Sequence, residues 1–486
     1  MKISFSRGLL LTALIFALAT LALSAQETVY EPTYESLSQH QIPDWYDDAK
    51  LGIFIHWGAY SVPGWAPLTG ELDEVLAENA TADGQPGWAY WFAHNPYAEW
   101  YSNSMRVEDS DTQNYHIETY GADFAYEDFV PLFNEATQNW NPDEWAELFA
   151  DVGARYVVLT TKHHDGFLLW PSENPNPFLE DFQSERDLVG ELTDAVRDNG
   201  MRMGLYYSGG LDWTFEDLTI TDFNTLIAAI PQSQEYADYA NTHWRELIER
   251  YQPSILWNDL GYPQIGEPYQ LFAEYYNAIP EGVINNRFGL GLPRDQFHYD
   301  FETPEYAELA DIQEQKWEST RGLGYSFGYN MNDSDENLLT VDELVDSFVD
   351  IVSKNGNLLL NIGPMADGTI PDVQRSRLEG LGAWLDVNGE AIFDTRPWER
   401  AESLANGEVE VRFTQKDDVL YAVLLSTPAG TDITIEDVTP AEGAVITLLG
   451  GEGELEWTQE GDNIVITLPE ALAEDHAHTF RIAAGM

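Results

Sequence analysis

The feature that most constrains the fold is an alternation of short apolar runs with amphipathic helical patterns between about residue 50 and residue 390. Apolar runs of this length are typical of buried strands, and helices between strands indicate a parallel sheet. We predict strands at 52–55, 155–161, 201–208, 254–259, 283–287, 298–303, 323–329 and 358–362. We predict helices at 187–199, 269–278, 341–354 and 373–387, and a long one that ends at 250. About eight such strands favour a closed (β/α)8-like barrel of the TIM type over an open doubly wound sheet.

The pattern changes after Arg396-Pro397. The following apolar runs are short and are separated by Gly, Asp and Pro, as is typical of an antiparallel β-sandwich. These runs are 408–413, 419–425, 444–449, 463–468 and 478–482. A chain of 486 residues is also long enough for two domains. We therefore predict a catalytic barrel over residues 26–396 and a C-terminal β-sandwich over residues 397–486, with 71–87 as a surface loop.

Residues 1–25 have the features of a cleaved secretory signal. Lys2 and Arg7 precede the apolar stretch 9–23, and the small residues Ser24-Ala25 follow it. A membrane anchor is the alternative, but no strongly basic flank follows the stretch. No later segment is apolar enough to span a membrane. The sequence therefore predicts an exported, soluble mature protein, either periplasmic or extracellular.

Composition excludes several classes of function. The chain has no cysteine, which excludes disulfides, thiolate metal sites and a cysteine nucleophile. Its formal net charge of −61 makes nucleic acid an unsuitable partner. Such acidity favours a saline habitat as one hypothesis and a generally acidic exported protein as the other. Homo-oligomerisation is left open.

Polar residues that directly follow predicted strands are the first candidates for an active site, because barrel enzymes place their chemistry at strand ends. They are His56, His163, His164 and Asp259, joined by an acid-rich segment at 298–318. Taken singly, a buried histidine is more often structural, and an aspartate in this position is more often a helix cap. Adjacent residues of a strand point to opposite faces, so at most one of His163 and His164 should face a pocket unless the strand bends.

Aromatic residues accumulate around these positions. They are Trp57, Trp65, Trp91, Trp100, Tyr206, Tyr207, Trp213, Trp257 and Phe327. Aromatic rings next to carboxylates suit sugar binding, where C–H faces lie on the rings. The alternative is that the rings cap a large core. Phosphate-binding GxxxxGK and GxGxxG motifs are absent from the sequence.

The chain resembles the α-L-fucosidases of glycoside hydrolase family 29 from about Trp45 to about Glu399. The motifs that carry the resemblance are WYDDAKLGIFIHWGAYSVP, YVVLTTKHHDGFLLWPS, GLYYSGGLDW, ILWNDLGYP, WESTRGLGYSFGYN and GNLLLNIGPMADG, followed by WLDVNGEAIFDTRPWE. The resemblance implies a barrel followed by a β-sandwich, no metal or other cofactor, and a fucosylated oligosaccharide or polysaccharide as substrate. It also implies an exo-acting enzyme that retains anomeric configuration by double displacement.

Family roles transfer to this chain residue by residue. Asp259 matches the nucleophile, and Glu305, within Thr303-Pro-Glu-Tyr306, matches the general acid/base of one branch. Glu99 is the second candidate for the acid/base and Glu302 the third. The positions that match fucose-contacting residues are His56, Glu99, Trp100, His163, His164, Tyr206, Trp257, Arg287 and Phe327.

Two other functions compete with this interpretation. A metal-dependent barrel hydrolase could use His56, His163, His164, Asp165 and Asp259 as ligands, although an HxH pair after the first strand is missing. A fucose-binding protein without catalysis could use the same pocket. Retention of both a candidate nucleophile and a candidate acid argues against pure binding.

Overall fold

Two β-sheets organise the chain in the computed structural model, which describes residues 29–484. The first is a parallel sheet of seven strands in the order β5-β4-β3-β2-β1-β7-β6. Its strands are β1 Leu51–Ile55, β2 Tyr156–Lys162, β3 Arg202–Ser208, β4 Ile255–Asp259, β5 Val283–Ile284, β6 Trp317–Gly322 and β7 Gly356–Ile362. The predicted signal peptide at 1–25 lies outside the described residues.

Residues 300–305, here called the closing segment, fill the gap between β5 and β6. Isolated parallel bridges connect this segment to both neighbours. On one side the Asp300 N–H donates to the Ile284 carbonyl at 2.8 Å. On the other side the Thr320 N–H donates to the Pro304 carbonyl at 3.1 Å. The closing segment thus takes the place of the eighth strand and completes the barrel, which confirms the predicted fold class.

Two strand predictions need correction. The strand predicted at 323–329 is wrong, because the structure has a loop there and places β6 at Trp317–Gly322. The letters WESTRG do not look like a buried strand, yet every residue of β6 is buried. The strand predicted at 283–287 is only two residues long, and Arg287 belongs to the 3-10 helix Asn286–Gly289.

The helices of the described residues are α1 Tyr34–Leu37, α2 Asp44–Ala49, α3 Leu72–Glu78, α4 Trp88–Ala93, α5 Tyr101–Ser104, α6 Asp111–Thr119, α7 Phe129–Ala136, α8 Pro142–Val152, α9 Leu188–Asp198, α10 Phe223–Ala228, α11 Gln234–Tyr251, α12 Pro268–Ala278, α13 Val341–Ser353 and α14 Asp372–Asn388. The five predicted helices are present as α9, α11, α12, α13 and α14, with shifts of a residue or two at their ends, and the other nine described helices were not predicted. The surface loop predicted at 71–87 is wrong in part, because it contains α3. None of the described helices is long and apolar enough to cross a membrane.

The barrel interior is aromatic and carries a buried carboxylate at its centre. Gly52 makes room for this arrangement, since a Cβ there would lie 2.3 Å from the ring of Tyr156. Glu318 on β6 is fully buried and accepts hydrogen bonds from the hydroxyls of Tyr46 (2.9 Å) and Tyr156 (2.6 Å) and from the Trp257 indole N–H (3.0 Å). Aromatic residues thus share the interior with Val158, Ile255, Val283 and Leu359, whereas Val, Ile and Leu usually dominate it in such barrels.

The second sheet is antiparallel, with eight strands in the order β12-β15-β10-β9-β8-β11-β14-β13. Its strands are β8 Arg396–Ala405, β9 Val409–Lys416, β10 Val419–Leu424, β11 Asp432–Ile435, β12 Val445–Leu448, β13 Glu456–Glu460, β14 Asn463–Thr467 and β15 His478–Ala483. The sheet folds back on one apolar core, so that its edge strands approach each other: the Leu455 N–H donates to the Ile446 carbonyl at 2.8 Å. Trp457 on β13 is half-buried and donates its indole N–H to the Ala444 carbonyl at 2.9 Å.

Direct contacts join the domain that contains the parallel sheet to the domain that contains the antiparallel sheet. The Trp384 indole N–H on α14 donates to the Ala477 carbonyl at 3.1 Å. Asp350 on α13 pairs with Arg412 on β9 at 2.6 Å and with Lys354 at 2.8 Å. Because β8 begins at Arg396, we propose the domain boundary near residue 396.

Asp300 anchors the closing segment from its amino-terminal end. The side chain is fully buried and accepts hydrogen bonds from His40 Nδ1 (2.9 Å), the Tyr276 hydroxyl (2.8 Å) and the Ile284 N–H (2.8 Å). Removing it would leave several buried donors without a partner, each of which costs free energy.

We predict that Asp300→Ala lowers the free energy of unfolding by about 3 kcal/mol. Urea unfolding followed by tryptophan fluorescence measures the change. Asp311→Ala is the matched control, because Asp311 is exposed and its loss should change stability by less than about 0.5 kcal/mol. Equal effects of the two substitutions would contradict the assigned role of Asp300.

Candidate active site

A cavity of about 130 Å³ opens at the carboxyl ends of the barrel strands. Every residue that the sequence assigned to the site lines it. These residues are His56, Glu99, Trp100, His163, His164, Tyr206, Trp257, Asp259, Arg287, Glu305 and Phe327. Not every aromatic residue predicted around the site lines the cavity. Trp57, for example, packs on Trp140 and Trp145 in the core.

Strand ends and the segments after them supply most of these side chains. His56 follows β1, His163 and His164 follow β2, and Tyr206 lies on β3. Asp259 is the last residue of β4. Parallel strands bring their carboxyl ends to the same side of the sheet, so residues far apart in sequence meet there.

Glu99 reaches the cavity from outside the barrel. It lies on the 3-10 helix Ala98–Trp100 in the long crossover between β1 and β2. Its carboxylate accepts a hydrogen bond from the Gly328 N–H at 2.7 Å. A Cβ at Gly328 would lie 2.9 Å from the Glu99 nitrogen, so the close approach of these segments requires glycine.

The Asp259 carboxylate is held by three donors. Oδ1 accepts from Arg287 Nη1 at 2.8 Å and from the Leu260 N–H at 2.9 Å, and Oδ2 accepts from the Tyr206 hydroxyl at 2.9 Å. The backbone behind it is tightly packed: a Cβ at Gly210 would lie 1.8 Å from the Leu260 carbonyl oxygen. Asp259 therefore does not cap a helix, which was the structural alternative for an isolated aspartate.

These partners keep Asp259 charged. Burial by itself raises the pKa of this carboxyl, but the charge of Arg287 and the hydrogen bonds from Arg287 and Tyr206 lower it more. The net pKa lies below the usual value for aspartate. The carboxylate is thus an ionised group in a largely desolvated position, as a nucleophile requires.

Arg287 holds both candidate catalytic carboxylates with one nitrogen. Its Nη1 lies 2.8 Å from Asp259 Oδ1 and 2.7 Å from Glu305 Oε1. Those two oxygens therefore cannot lie more than 5.5 Å apart. Retaining glycosidases place their two carboxyl groups about 5–5.5 Å apart, whereas inverting ones need roughly 6.5–9.5 Å.

The rest of the Arg287 side chain is fixed as well. Nε donates to the Thr303 hydroxyl and Nη2 to the Thr303 carbonyl, both at 3.0 Å. The guanidinium lies 4.7 Å from the centre of the Trp257 ring. Because Thr303 belongs to the closing segment, the position of Arg287 depends on the closure of the barrel.

The hydrogen bonds of His56 determine its tautomer. Asn361 donates through Nδ2 to the Phe327 carbonyl at 2.6 Å, so its Oδ1 is the acceptor for His56 Nδ1 at 2.7 Å. His56 therefore carries its proton on Nδ1 and keeps Nε2 as an acceptor. Burial lowers the pKa of His56 to about 4, which keeps the ring neutral.

His164 is fixed in the same way. Ser208 donates its hydroxyl to the Leu211 carbonyl at 2.7 Å, so its oxygen accepts from His164 Nδ1 at 2.7 Å. His164 Nε2 is left as an acceptor 3.9 Å from Asp259 Oδ2. Burial lowers the pKa of His164 to about 3, although Asp259 opposes this shift.

Both adjacent histidines face the cavity, contrary to the expectation for a regular strand. The pairing of β2 with β3 shifts register between Thr160 and Lys162, just before the two histidines. This irregularity corresponds to the strand bend predicted from the sequence as the condition for both histidines to face a pocket. His163 is buried, and among the described residues its Nδ1 has no hydrogen-bond partner.

The remaining acids differ in their surroundings. Burial raises the pKa of Glu99 to about 7, against the opposing Gly328 N–H, and nearby Glu305 raises it further. Glu302, the third acid/base candidate, is exposed, accepts a hydrogen bond from Tyr299 and does not line the cavity.

Asp165, a ligand in the metal hypothesis, accepts a hydrogen bond from the Tyr126 hydroxyl instead. Residues 29–484 contain no group of three or more His, Cys, Asp or Glu arranged to hold a metal ion.

Sequence reasoning missed several residues of the site. The cavity also includes Phe54, Leu72, Trp88, Trp91, Phe92, Tyr97, Leu226, Leu260 and Thr320, of which only Trp91 was noticed. Glu318 belongs to the acid-rich segment noticed at 298–318, but its role in positioning Trp257 was missed, as was Asn361, which positions His56. A polar residue inside an apolar run, such as Asn361 in LLLNI, is the signal that could have found the latter.

Comparison with known proteins yields one family. The profile described as alpha-L-fucosidase matches residues 17–390, and that of the alpha-L-fucosidase C-terminal domain matches residues 406–483. Tissue alpha-L-fucosidase of Rattus norvegicus is 34% identical over 453 residues, which is 91% of this chain and 89% of that protein. The Homo sapiens tissue enzyme is 32% identical over 457 residues, or 91% and 88% of the two chains. The crystal structure of Thermotoga maritima alpha-fucosidase with a mechanism-based inhibitor superposes with a TM-score of 0.82 at 44% identity, covering 93% of this chain and 100% of that one.

The neutral histidines predict how stability depends on pH. The unfolded chain takes up protons on histidine below about pH 6.5, whereas folded His56 and His164 do so only near pH 4 and 3. Their stabilising contribution is therefore complete above pH 6.5 and is lost as the pH falls towards 4. Each such group lowers the free energy of unfolding over this range by up to about 1.4 kcal/mol per pH unit, whereas buried carboxyls with a raised pKa, such as Glu99, contribute with the opposite sign.

Urea unfolding at pH 6.5, 5.5 and 4.5 measures this slope. His164→Asn should flatten it, because the variant lacks one of the titrating groups. Ser208→Ala is the control, since it removes the partner of Nδ1 but keeps the imidazole. Identical slopes in wild type and His164→Asn would contradict the prediction.

Proposed function

Because the chain belongs to the α-L-fucosidase family of glycoside hydrolases, we propose that it removes terminal α-L-fucosyl residues from glycans with retention of configuration. The observation that carries this proposal is the contact of Arg287 Nη1 with both Asp259 and Glu305, which keeps one oxygen of each within 5.5 Å and so supports a retaining rather than an inverting pair. The cavity floor is formed by the buried Phe54 and Trp257, so a bound sugar continues into a glycan chain only on the outer side. This geometry suits an exo-acting enzyme.

In the first step Asp259 attacks the anomeric carbon of the fucosyl residue and forms an ester to it. The bond from that carbon to the glycosidic oxygen breaks, and Glu305 donates its proton to the departing oxygen. The lowered pKa of Asp259 supports the role of nucleophile. Arg287 and the Tyr206 hydroxyl keep the attacking carboxylate in place.

In the second step water replaces the leaving group. Glu305, now ionised, takes a proton from this water, whose oxygen attacks the anomeric carbon from the side that the leaving group had occupied. The ester to Asp259 breaks and fucose leaves with its original configuration. Two inversions at one carbon give net retention.

Fixed acceptors around the cavity support recognition of a deoxyhexose. His56 and His164 each present Nε2 as an acceptor for a sugar hydroxyl, and His163 Nδ1 has no partner within residues 29–484. Leaving such buried polar atoms without a partner is costly, which favours a ligand that provides hydroxyls. Phe327 and Trp257 provide apolar faces suited to the fucose methyl group and C–H bonds.

Glu305 is the preferred acid/base over Glu99. Its side chain is 29% exposed and lies towards the mouth of the cavity, where the leaving group and the incoming water pass. Glu99 is 2% exposed and accepts a hydrogen bond from the Gly328 N–H, which suits a role in holding the sugar. The raised pKa of Glu99 is the observation that keeps it as the second candidate.

Export remains part of the proposal. Residues 1–25 have the features of a signal peptide, and a location in the periplasm or outside the cell would expose the enzyme to fucosylated oligosaccharides or polysaccharides.

We predict that Asp259→Gly lowers hydrolysis of an aryl α-L-fucoside by at least about 10⁴-fold, because the nucleophile is missing. Added azide should restore turnover by a single displacement and give β-fucosyl azide, which NMR identifies. The variant without azide is the control. Undiminished hydrolysis would place the nucleophile elsewhere, and an inactive wild type would favour the fucose-binding protein.

Replacement of the acid/base should give the opposite azide product. We expect Glu305→Ala to lose about 10²–10⁴-fold in hydrolysis, and azide to attack the fucosyl-enzyme and yield α-fucosyl azide. Glu302→Ala is the matched control and should stay close to wild type. If Glu99→Ala yields α-fucosyl azide and Glu305→Ala does not, Glu99 is the acid/base.

A further inference from the structure

The outer part of the cavity has an apolar surface that recognition of fucose hydroxyls does not explain. Leu72, Trp88 and Leu226 line this part and are half-buried. Phe223 lies beside them, 47% exposed, with its ring centre 5.4 Å from that of Trp88. We call these four residues the apolar rim.

The apolar rim is built on helices outside the barrel. Leu72 begins α3, Trp88 begins α4, and Phe223 and Leu226 belong to α10. These helices pack together over a shared apolar cluster that includes the buried Trp91. The rim is therefore supported from below, so its side chains form a defined surface.

Contacts place this rim on the side of the proposed general acid. Glu71 precedes Leu72, and its carboxylate oxygen Oε1 lies 3.8 Å from Arg321 Nη2. The guanidinium of Arg321 also lies 5.6 Å from the centre of the Tyr306 ring, and Tyr306 follows Glu305. Arg321 thus links the start of α3 to the segment that carries the acid.

Exposure separates an inner from an outer half of the cavity. The inner residues His56, Tyr206 and Trp257 are 4%, 1% and 1% exposed. Solvent reaches the rim residues, which are half-buried or exposed. A glycan whose terminal fucose is held by the inner residues therefore directs its next ring outwards, to the half of the cavity that contains the rim.

The charges around the cavity disfavour an anionic ring in this position. Among the described residues that line the cavity, Arg287 is the one Lys or Arg, and it is already paired with Asp259 and Glu305. The chain as a whole carries a formal net charge of −61. An anionic leaving group would meet repulsion and no free cation.

Resting on the proposed function, we infer that the apolar rim is a leaving-group subsite that binds a neutral ring through its apolar face. Sugar C–H faces and aryl rings both offer such a face to Trp88 and Leu226. The rim would selectively lower the barrier for glycans with neutral sugars next to the fucose, and would disfavour sulfated or acidic ones.

The test compares two substrates that share the fucosyl group. 4-Nitrophenyl α-L-fucoside has a ring to place on the rim, whereas α-L-fucosyl fluoride has none. We expect Trp88→Ala to lower kcat/KM for the aryl fucoside about tenfold, and kcat/KM for the fluoride to change by less than about twofold. Phe223→Ala, at a more exposed position with less risk to folding, should act in the same direction by a smaller factor. Phe178→Ala is the matched control, because Phe178 is 54% exposed and does not line the cavity.

Each outcome supports or overturns the inference. Equal losses on both substrates would mean that the rim shapes the whole cavity, and unchanged kcat/KM on both would mean that it binds nothing; either overturns the subsite. A wild type that hydrolyses neither substrate would instead overturn the proposed function.

A second comparison tests the preference for neutral rings. 4-Sulfophenyl α-L-fucoside carries an anionic ring of similar shape. We expect Trp88→Ala to narrow the ratio of kcat/KM between the nitrophenyl and sulfophenyl fucosides, because the favourable contact of the neutral ring is lost. A ratio that the substitution leaves unchanged, or an anionic ring preferred by wild type, would overturn the neutral preference.

Discussion

One arginine side chain holds the two candidate catalytic carboxylates of this protein in their relative positions. Arg287 contacts Asp259 and Glu305 with the same nitrogen, while Thr303 fixes the other end of its guanidinium. The desolvation cost of such a group is offset by two carboxylates and two further acceptors. Because Arg287 follows β5 and Glu305 ends the closing segment, the separation of the two acids is set by how the barrel closes.

The floor of the cavity depends on a second buried carboxylate. Glu318 binds the indole N–H of Trp257 from inside the barrel, and also the hydroxyls of Tyr46 and Tyr156. The guanidinium of Arg287 lies over a face of the same Trp257 ring. Glu318 at the centre of the barrel and Arg287 at its mouth are therefore joined through the Trp257 ring.

Sequence reasoning was most successful where the signal is local and failed where distant parts of the chain decide. Strands β1 to β4 and β7 were predicted from their apolar runs, whereas β6 was missed because Glu318 and Arg321 look like surface residues. Buried hydrogen bonds to Glu318 are what permit this strand inside a barrel. Strand alternation alone left the orientation of the two adjacent histidines open, since the register shift between β2 and β3 depends on both strands.

The sequence alone determined the alternation of strands and helices, the change to an antiparallel domain near residue 396, and the residue types available for chemistry. Local periodicity and the long family motifs carry that information. Tertiary structure decided that the closing segment stands in for a strand, that Arg287 brings two carboxylates within 5.5 Å, and that α3, α4 and α10 meet as an apolar rim. These are distances between residues far apart in the chain, and packing, which no local pattern encodes, sets them.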